Sequence, residues 1–226
     1  KKKLFLQGLK TLSMLENISS EEIKSQFKSN KKLRLVTIII GGVIVLVAGY
    51  FLYRQFVVKP KNEKSQDAYW EGMNLVAKDS TDAAIEVLTS VVKKYDGYVG
   101  GENAQYLLGT QLMKKGEFKK AIETLEGVDV EDTYISAMVI GLQGDCHSEL
   151  GQYKEAVEKY IEASETNANE MTTPNYLFKA GLCAEELKDF EAAKGYYTTI
   201  RDEYVTYANR KTIDKYIARV SSTTAK

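Results

Sequence analysis

The chain of 226 residues holds one histidine, His147, and two cysteines, Cys146 and Cys183. These residue types supply a general base, a thiolate nucleophile or a soft metal ligand where a sequence brings partners to them. Here the surroundings develop none of those chemistries. His147 falls where a helical pattern wants a bulky packing residue, which favours an ordinary helix-packing histidine over a catalytic one. The cysteines are 37 residues apart, and no Cys-x-x-Cys or His-x-x-x-His spacing accompanies them. Helices packed side by side stand ~8 to 10 Å apart, beyond the Cα separation that a disulfide accepts, so both read as buried free thiols. The acidic clusters at Asp129, Glu131, Asp132 and at Glu185, Glu186 read as solvated surface. No Gly-rich phosphate loop, nucleophile elbow or zinc signature is present. The sequence therefore predicts a non-enzymatic protein without a cofactor.

The elements that carry these residues repeat. Gly72, Gly109, Gly144 and Gly181 are spaced 37, 35 and 37 residues apart, and Ala84, Ala121, Ala156 and Ala193 keep the same spacings. Each of the four segments reads as helix, short polar turn, helix. Gly and Ala at fixed places let paired helices approach closely, and the aromatics fill the space between one pair and the next. The period-3.6 residues Ile213, Tyr216, Ile217 and Val220 predict a terminal helix that covers the open end of the stack.

The pattern resembles the tetratricopeptide repeat, with a small residue in the first helix, an aromatic after the turn and an Ala in the second helix. The residues that carry the resemblance are Leu108, Gly109, Leu112, Gly116, Phe118, Ala121 and Leu125 in the second repeat. In the third they are Gly144, Gly151, Tyr153, Ala156, Tyr160 and Ala163, and in the fourth Gly181, Phe190, Ala193, Tyr197 and Ile200. The first keeps Gly72, Ala84 and Leu88 but has Thr81 in place of the aromatic, and none of the four ends in the family's usual proline. The resemblance implies an all-α fold, a right-handed solenoid of about four repeats with a C-terminal capping helix.

Ahead of the repeats, nineteen uncharged residues run from Leu35 to Tyr53. At 1.5 Å per residue such a helix spans roughly the ~30 Å hydrocarbon core of a bilayer. The run is longer than a signal-peptide apolar region, more than thirty residues precede it, and no small-residue cleavage site follows Tyr53. An uncleaved single-pass transmembrane helix is expected. Nine basic residues lie in 1–34 and four in 54–64, a bias that places the N-terminus in the cytoplasm and the repeats on the far side. Gly42 and Gly49, one heptad apart, offer a smooth strip for another membrane helix or are simply tolerated glycines. The division is a basic cytoplasmic arm over 1–32, the membrane helix over 33–58, a linker over 59–65 and the repeat domain over 66–226.

Net charge is zero overall, but thirteen of the thirty-one basic residues and only four of the thirty-one acids precede Ser65. The remaining eighteen bases and twenty-seven acids leave the repeat domain strongly acidic. Nucleic acid is therefore no expected partner, since phosphate binding needs a basic face, and anionic headgroups would repel the domain. In the arm, Leu4, Phe5, Leu9, Leu12 and Leu15 share a helical face with lysines beside it, and Ser19-Ser20-Glu21-Glu22 reads as a capping box. Such an arm fits the anionic cytoplasmic leaflet and a subunit of a larger membrane complex.

If the first helices of the repeats line a concave face, as the family implies, that groove collects Tyr69, Met73 and Val76, then Tyr106 and Met113. Met138, Asp145 and Ser148 follow, then Asn175, Phe178, Leu182 and Glu185. Either this is an apolar, Met-bearing groove suited to unfolded or extended clients, or several of these residues belong to the inter-helix core. The whole layout is similar to the YfgM-like ancillary subunits of the bacterial Sec translocon. That resemblance implies an inner-membrane protein with a periplasmic C-terminal domain. Its partners would be the translocon channel subunits, a membrane-anchored prolyl isomerase and secreted polypeptides. A structural scaffold of another envelope complex, such as a secretion or gliding machine, is the alternative.

Overall fold

The computed structural model describes Ser25, residues 27–130 and residues 132–224. The amphipathic face and capping box expected within 1–24 lie outside the described residues. The chain divides into two compact units that meet between Lys59 and Pro60.

In the first unit, α1 (Lys31–Tyr53) is a 23-residue helix. Asn30 opens it: its side chain accepts from the backbone N–H of Lys32 at 3.0 Å and its carbonyl from that of Arg34 at 3.1 Å. Its Ile, Val and Leu side chains are exposed all round, so α1 is long and apolar enough to cross a membrane. A π-helical turn follows over Arg54–Val58, closed by the N–H of Lys59 donating to the Arg54 carbonyl. Pro60 has no N–H to continue the ladder, and a local change of hydrogen-bond register is how helices accommodate that loss.

The second unit is helical throughout its described residues. Four antiparallel pairs follow in order: α2 (Lys59–Ala77) with α3 (Thr81–Lys94), α4 (Val99–Lys114) with α5 (Phe118–Glu126), α6 (Thr133–Glu149) with α7 (Tyr153–Thr166), and α8 (Thr173–Glu186) with α9 (Phe190–Glu203). Two further helices, α10 (Val205–Lys211) and α11 (Ile213–Thr224), close the C-terminal end. The expected terminal helix is α11, with Ile213 and Val220 fully buried. The segment 59–65, expected as a linker, forms the first turns of α2 instead. Pro60 is no obstacle there, because a first-turn residue needs no donor. Ser65 gives the reason the helix starts early: it is buried, its hydroxyl donates to the Asn62 carbonyl at 2.7 Å and accepts from the N–H of Gly100 at 3.1 Å.

Within each pair, the repeated glycine is where the two helices touch. A Cβ added at Gly72 would meet Leu88 at 2.5 Å, and one at Gly109 would meet Leu125 at 2.5 Å. At Gly144 it would meet the ring of Tyr160 at 2.7 Å, and at Gly181 that of Tyr197. Ala84, Ala121, Ala156 and Ala193 are completely buried on the partner helices. The sequence period is thus a packing period, set by close approach at one glycine and one alanine per pair.

Candidate protein-interaction groove

The face expected to bind clients is carried by the first helix of each pair. Exposed on it are Met73 (38%), Met138 (43%) and Leu182. Tyr69, Val76, Tyr106 and Met113 are half-buried and pack against the core of the first two pairs. Burial pushes the Tyr69 hydroxyl above its ordinary range, with a smaller contribution from Tyr106. Phe178 stands apart, only 8% exposed. Its ring lies 4.9 Å from that of Tyr216, edge to face, and within 6.5 Å of Tyr197 and Tyr207, with the amine of Lys211 over it at 5.2 Å. The two closing helices cover this residue, so it belongs to the core and not to an open groove. Only the second of these helices was legible as a cap, and the aromatic residues it brings down on α8 were the missed signal.

The open space along this face is more polar than the sequence suggested. One groove of about 760 Å³ is lined by Ser148, Glu149, Tyr153, Leu182, Glu185 and Arg219, among others. A second of about 540 Å³ shares Ser148 and Glu149 with it and adds Met113, Lys114, Phe118, Asp145 and Lys179. Sequence reasoning had placed Met113, Asp145, Ser148, Leu182 and Glu185 here, but not the two cations that neutralise the carboxylates.

Those cations form two matching ties. Asp145 on α6 accepts from the Tyr160 hydroxyl at 2.6 Å and from the Lys179 amine at 2.6 Å and 2.9 Å. Glu185 on α8 accepts from the Tyr197 hydroxyl at 2.6 Å and from the Arg219 guanidinium at 2.6 Å. In each tie the second helix of a pair supplies the tyrosine, the first supplies the acid, and the next first-position helix supplies the cation. Burial, with the carboxylate beside it, drives both tyrosine hydroxyls far above their ordinary range, so they remain hydrogen-bond donors at any neutral pH.

The groups that could do chemistry are held inert. Cys146 and Cys183 are buried and unpaired. Burial, with Asp145 and Glu149 nearby, pushes the Cys146 thiol up to about 11, and burial likewise raises that of Cys183. The imidazole Nδ1 of His147 lies 2.8 Å from the side-chain oxygen of Gln152, tying the turn between α6 and α7. Among the described residues no three His, Cys, Asp or Glu side chains converge as a metal site. On α1, Gly42 and Gly49 are exposed, and a Cβ at either would meet nothing within 4 Å.

Comparison with known proteins agrees with this architecture. Residues 176–206 match a tetratricopeptide-repeat pattern. No curated protein matches the chain. Among solved structures, MamA 41-end from Desulfovibrio magneticus RS-1 is similar at 20% identity, over 61% of this chain and 74% of its own, with a TM-score of 0.51. Another MamA structure covers 70% of this chain and 91% of its own at 21% identity, with a TM-score of 0.54. A Podosopora anserina putative kinesin light chain with nearly identical TPR-like repeats covers 73% and 88% at 13% identity, with a TM-score of 0.56. At these identities the likeness is one of fold: the C-terminal unit is a tetratricopeptide-type helical solenoid, an architecture that presents surface for protein–protein interaction.

Proposed function

We propose that this protein is a non-enzymatic, single-pass membrane subunit whose repeat domain binds other proteins. The observation that carries the reading is the face built by α2, α4, α6 and α8. It displays Met73, Met138 and Leu182 beside the neutralised Asp145–Lys179 and Glu185–Arg219 pairs, and it brings no acid, base and nucleophile together. Methionines and a mixed polar rim adapt to varied extended segments better than to one charged tail. The apolar α1 supports a membrane anchor, and the excess of basic residues before it supports a cytoplasmic N-terminus with the solenoid on the periplasmic side of a bacterial inner membrane.

The narrower assignment is an ancillary subunit of the Sec translocon that assists secreted chains as they emerge, beside channel subunits and a membrane-anchored prolyl isomerase. It rests on the layout of basic arm, single apolar helix and repeat domain. A photocrosslinker at Met138 in the native membrane tests it. Adducts with translocon subunits and nascent secreted proteins support the assignment. A single abundant envelope partner replaces it with a structural scaffold, and the absence of any protein adduct removes the groove from the proposal.

A further inference from the structure

The repeat period also sets out a second surface, away from the residues expected to bind clients. Val99, Tyr134 and Met171 are 35 and 37 residues apart, the spacing of the repeat glycines, and so hold one register position at the entry to α4, α6 and α8. All three are apolar and exposed, at 49%, 51% and 70%, and Ile135 widens the stripe at its middle. A residue that is apolar once at a solvated helix entry needs no explanation; the same register exposed in three successive repeats forms a row.

Each member is displayed by a fixed backbone. The N–H of Val99 donates to the Asn62 side chain at 3.1 Å, that of Tyr134 to Asp132 at 2.8 Å, and that of Met171 to Asn169 at 2.8 Å. Asn169 also accepts from the N–H of Thr172 and donates to the Thr172 hydroxyl, so the loop before α8 is tied from both sides.

The charge around the row has one sign. The stretches 95–113, 121–153 and 160–178, which hold these helix entries, contain no Lys or Arg. Asp96, Asp129, Asp132 and Glu170 are exposed in the loops that lead into the three helices. The lysines at this edge stand at its Val99 end, where Lys61 and Lys94 lie over the rings of Tyr98 and Tyr95. The row is therefore most acidic around Tyr134 and Met171. A second copy of this surface and an anionic lipid headgroup are both repelled by it, whereas a helix with apolar and cationic faces satisfies the row and its border together.

We infer that the Val99–Tyr134–Met171 edge docks a basic amphipathic helix of a partner protein, at a surface distinct from the client groove. The test uses the full chain in nanodiscs of zwitterionic lipid and a fluorescent leucine–lysine helical peptide of roughly 18 residues. Tyr134→Ser/Met171→Ser should weaken peptide binding at least tenfold at physiological salt, while Met73→Ser on the groove face leaves it unchanged. Because all of these side chains are exposed, thermal melting of the variants should match the parent and separate lost docking from lost fold. The proposal is overturned by equal binding of a leucine–glutamate peptide, or by unchanged affinity in the double variant. It is equally overturned if sedimentation shows that the stripe holds two copies of the chain, or if it binds anionic vesicles. Failure of Met138 crosslinking would leave this surface untouched, so the two readings fall separately.

Discussion

The first two helix pairs and the last two solve one packing problem with different side chains. In α2–α3 and α4–α5 the glycine receives a leucine, Leu88 or Leu125, each completely buried. In α6–α7 and α8–α9 it receives a tyrosine, Tyr160 or Tyr197, whose ring fills the same gap and whose hydroxyl reaches through to a carboxylate. Leucine only fills the space. Tyrosine fills it and also anchors an acid that pairs with the following repeat, through Lys179 in one case and Arg219 in the other. The C-terminal half is thus stitched from pair to pair by polar bonds that the N-terminal half lacks at this position, and a buried hydroxyl with its partner in place adds specificity at little cost.

Emptying the gap has the largest effect. Tyr197→Ala should destabilise the domain by about 4 kcal/mol and Leu88→Ala by about 3 kcal/mol, since each leaves a cavity in a fully packed site. Chemical denaturation followed by circular dichroism measures both. The comparison breaks if Tyr197→Phe costs as much as Tyr197→Ala, because the phenylalanine keeps the ring and should cost only about 1 kcal/mol for the lost hydroxyl bond.

Crowding the gap is next in size and separates the halves more sharply. Gly→Ala in a helix gains ~1 kcal/mol in propensity, against which overpacking costs ~1 to 3 kcal/mol. A leucine end can turn aside, so Gly72→Ala and Gly109→Ala should come out near neutral. A ring cannot, so Gly144→Ala and Gly181→Ala should lose about 2 kcal/mol. Equal losses in all four would mean that backbone approach, and not the facing side chain, sets the tolerance.

The ties themselves come third. In a double-mutant cycle, Asp145–Lys179, partly buried and also bonded to Tyr160, should show a coupling of roughly 1 to 2 kcal/mol. The exposed Asp79–Lys114 pair at the turn of the first repeat should show no more than ~0.5 kcal/mol. Raising the salt concentration should erase the second coupling and leave most of the first.

How much of this was open to the sequence follows from which features repeat. The glycine and alanine positions recur with one period, so the helix pairs and the all-α solenoid could be laid out from spacing alone. The closing helix over Ile213–Val220 was visible as an amphipathic stripe. Residues whose surroundings come from outside the period were not. Phe178 holds the register of Tyr106 and Gly141, yet it is buried because α10 and α11 bring Tyr207 and Tyr216 onto it, a contact no repeat alignment contains. Segment 59–65 reads as a linker because of Pro60, while the bonds of Asn62 and Ser65 that make it part of α2 join residues 35 and 37 apart. The two ties depend on Lys179 and Arg219, which differ in residue type and stand outside the repeat consensus, so composition showed the charges but not their pairing.

The smallest effect tests the turns that join the paired helices, where the grouping changes. One residue in each turn is left-handed: Asp79 at φ 61°, Gly116 at φ 79°, Gly151 at φ 71° and Lys188 at φ 61°. They are spaced 37, 35 and 37 residues apart, so the geometry is a demand of the repeat and the residue type is not. The middle two repeats meet it with glycine, whereas the outer two force a side chain into a conformation that costs about 1 kcal/mol or more. Lys188 is exposed and its N–H, which donates to the Glu185 carbonyl at 2.9 Å, survives substitution. Lys188→Gly should therefore stabilise the domain, by roughly 0.5 to 1 kcal/mol once the added freedom of glycine in the unfolded chain is set against the relieved strain. Asp79→Gly should gain less, because it also gives up the ion pair with Lys114. The reverse change, Gly151→Lys, should cost about 1 kcal/mol. A shift of the urea midpoint to higher concentration for Lys188→Gly, with an unchanged slope, would establish that the left-handed residue limits the stability of the outer turns; a shift to lower concentration would mean that the lysine makes a compensating interaction at the edge of the fourth repeat.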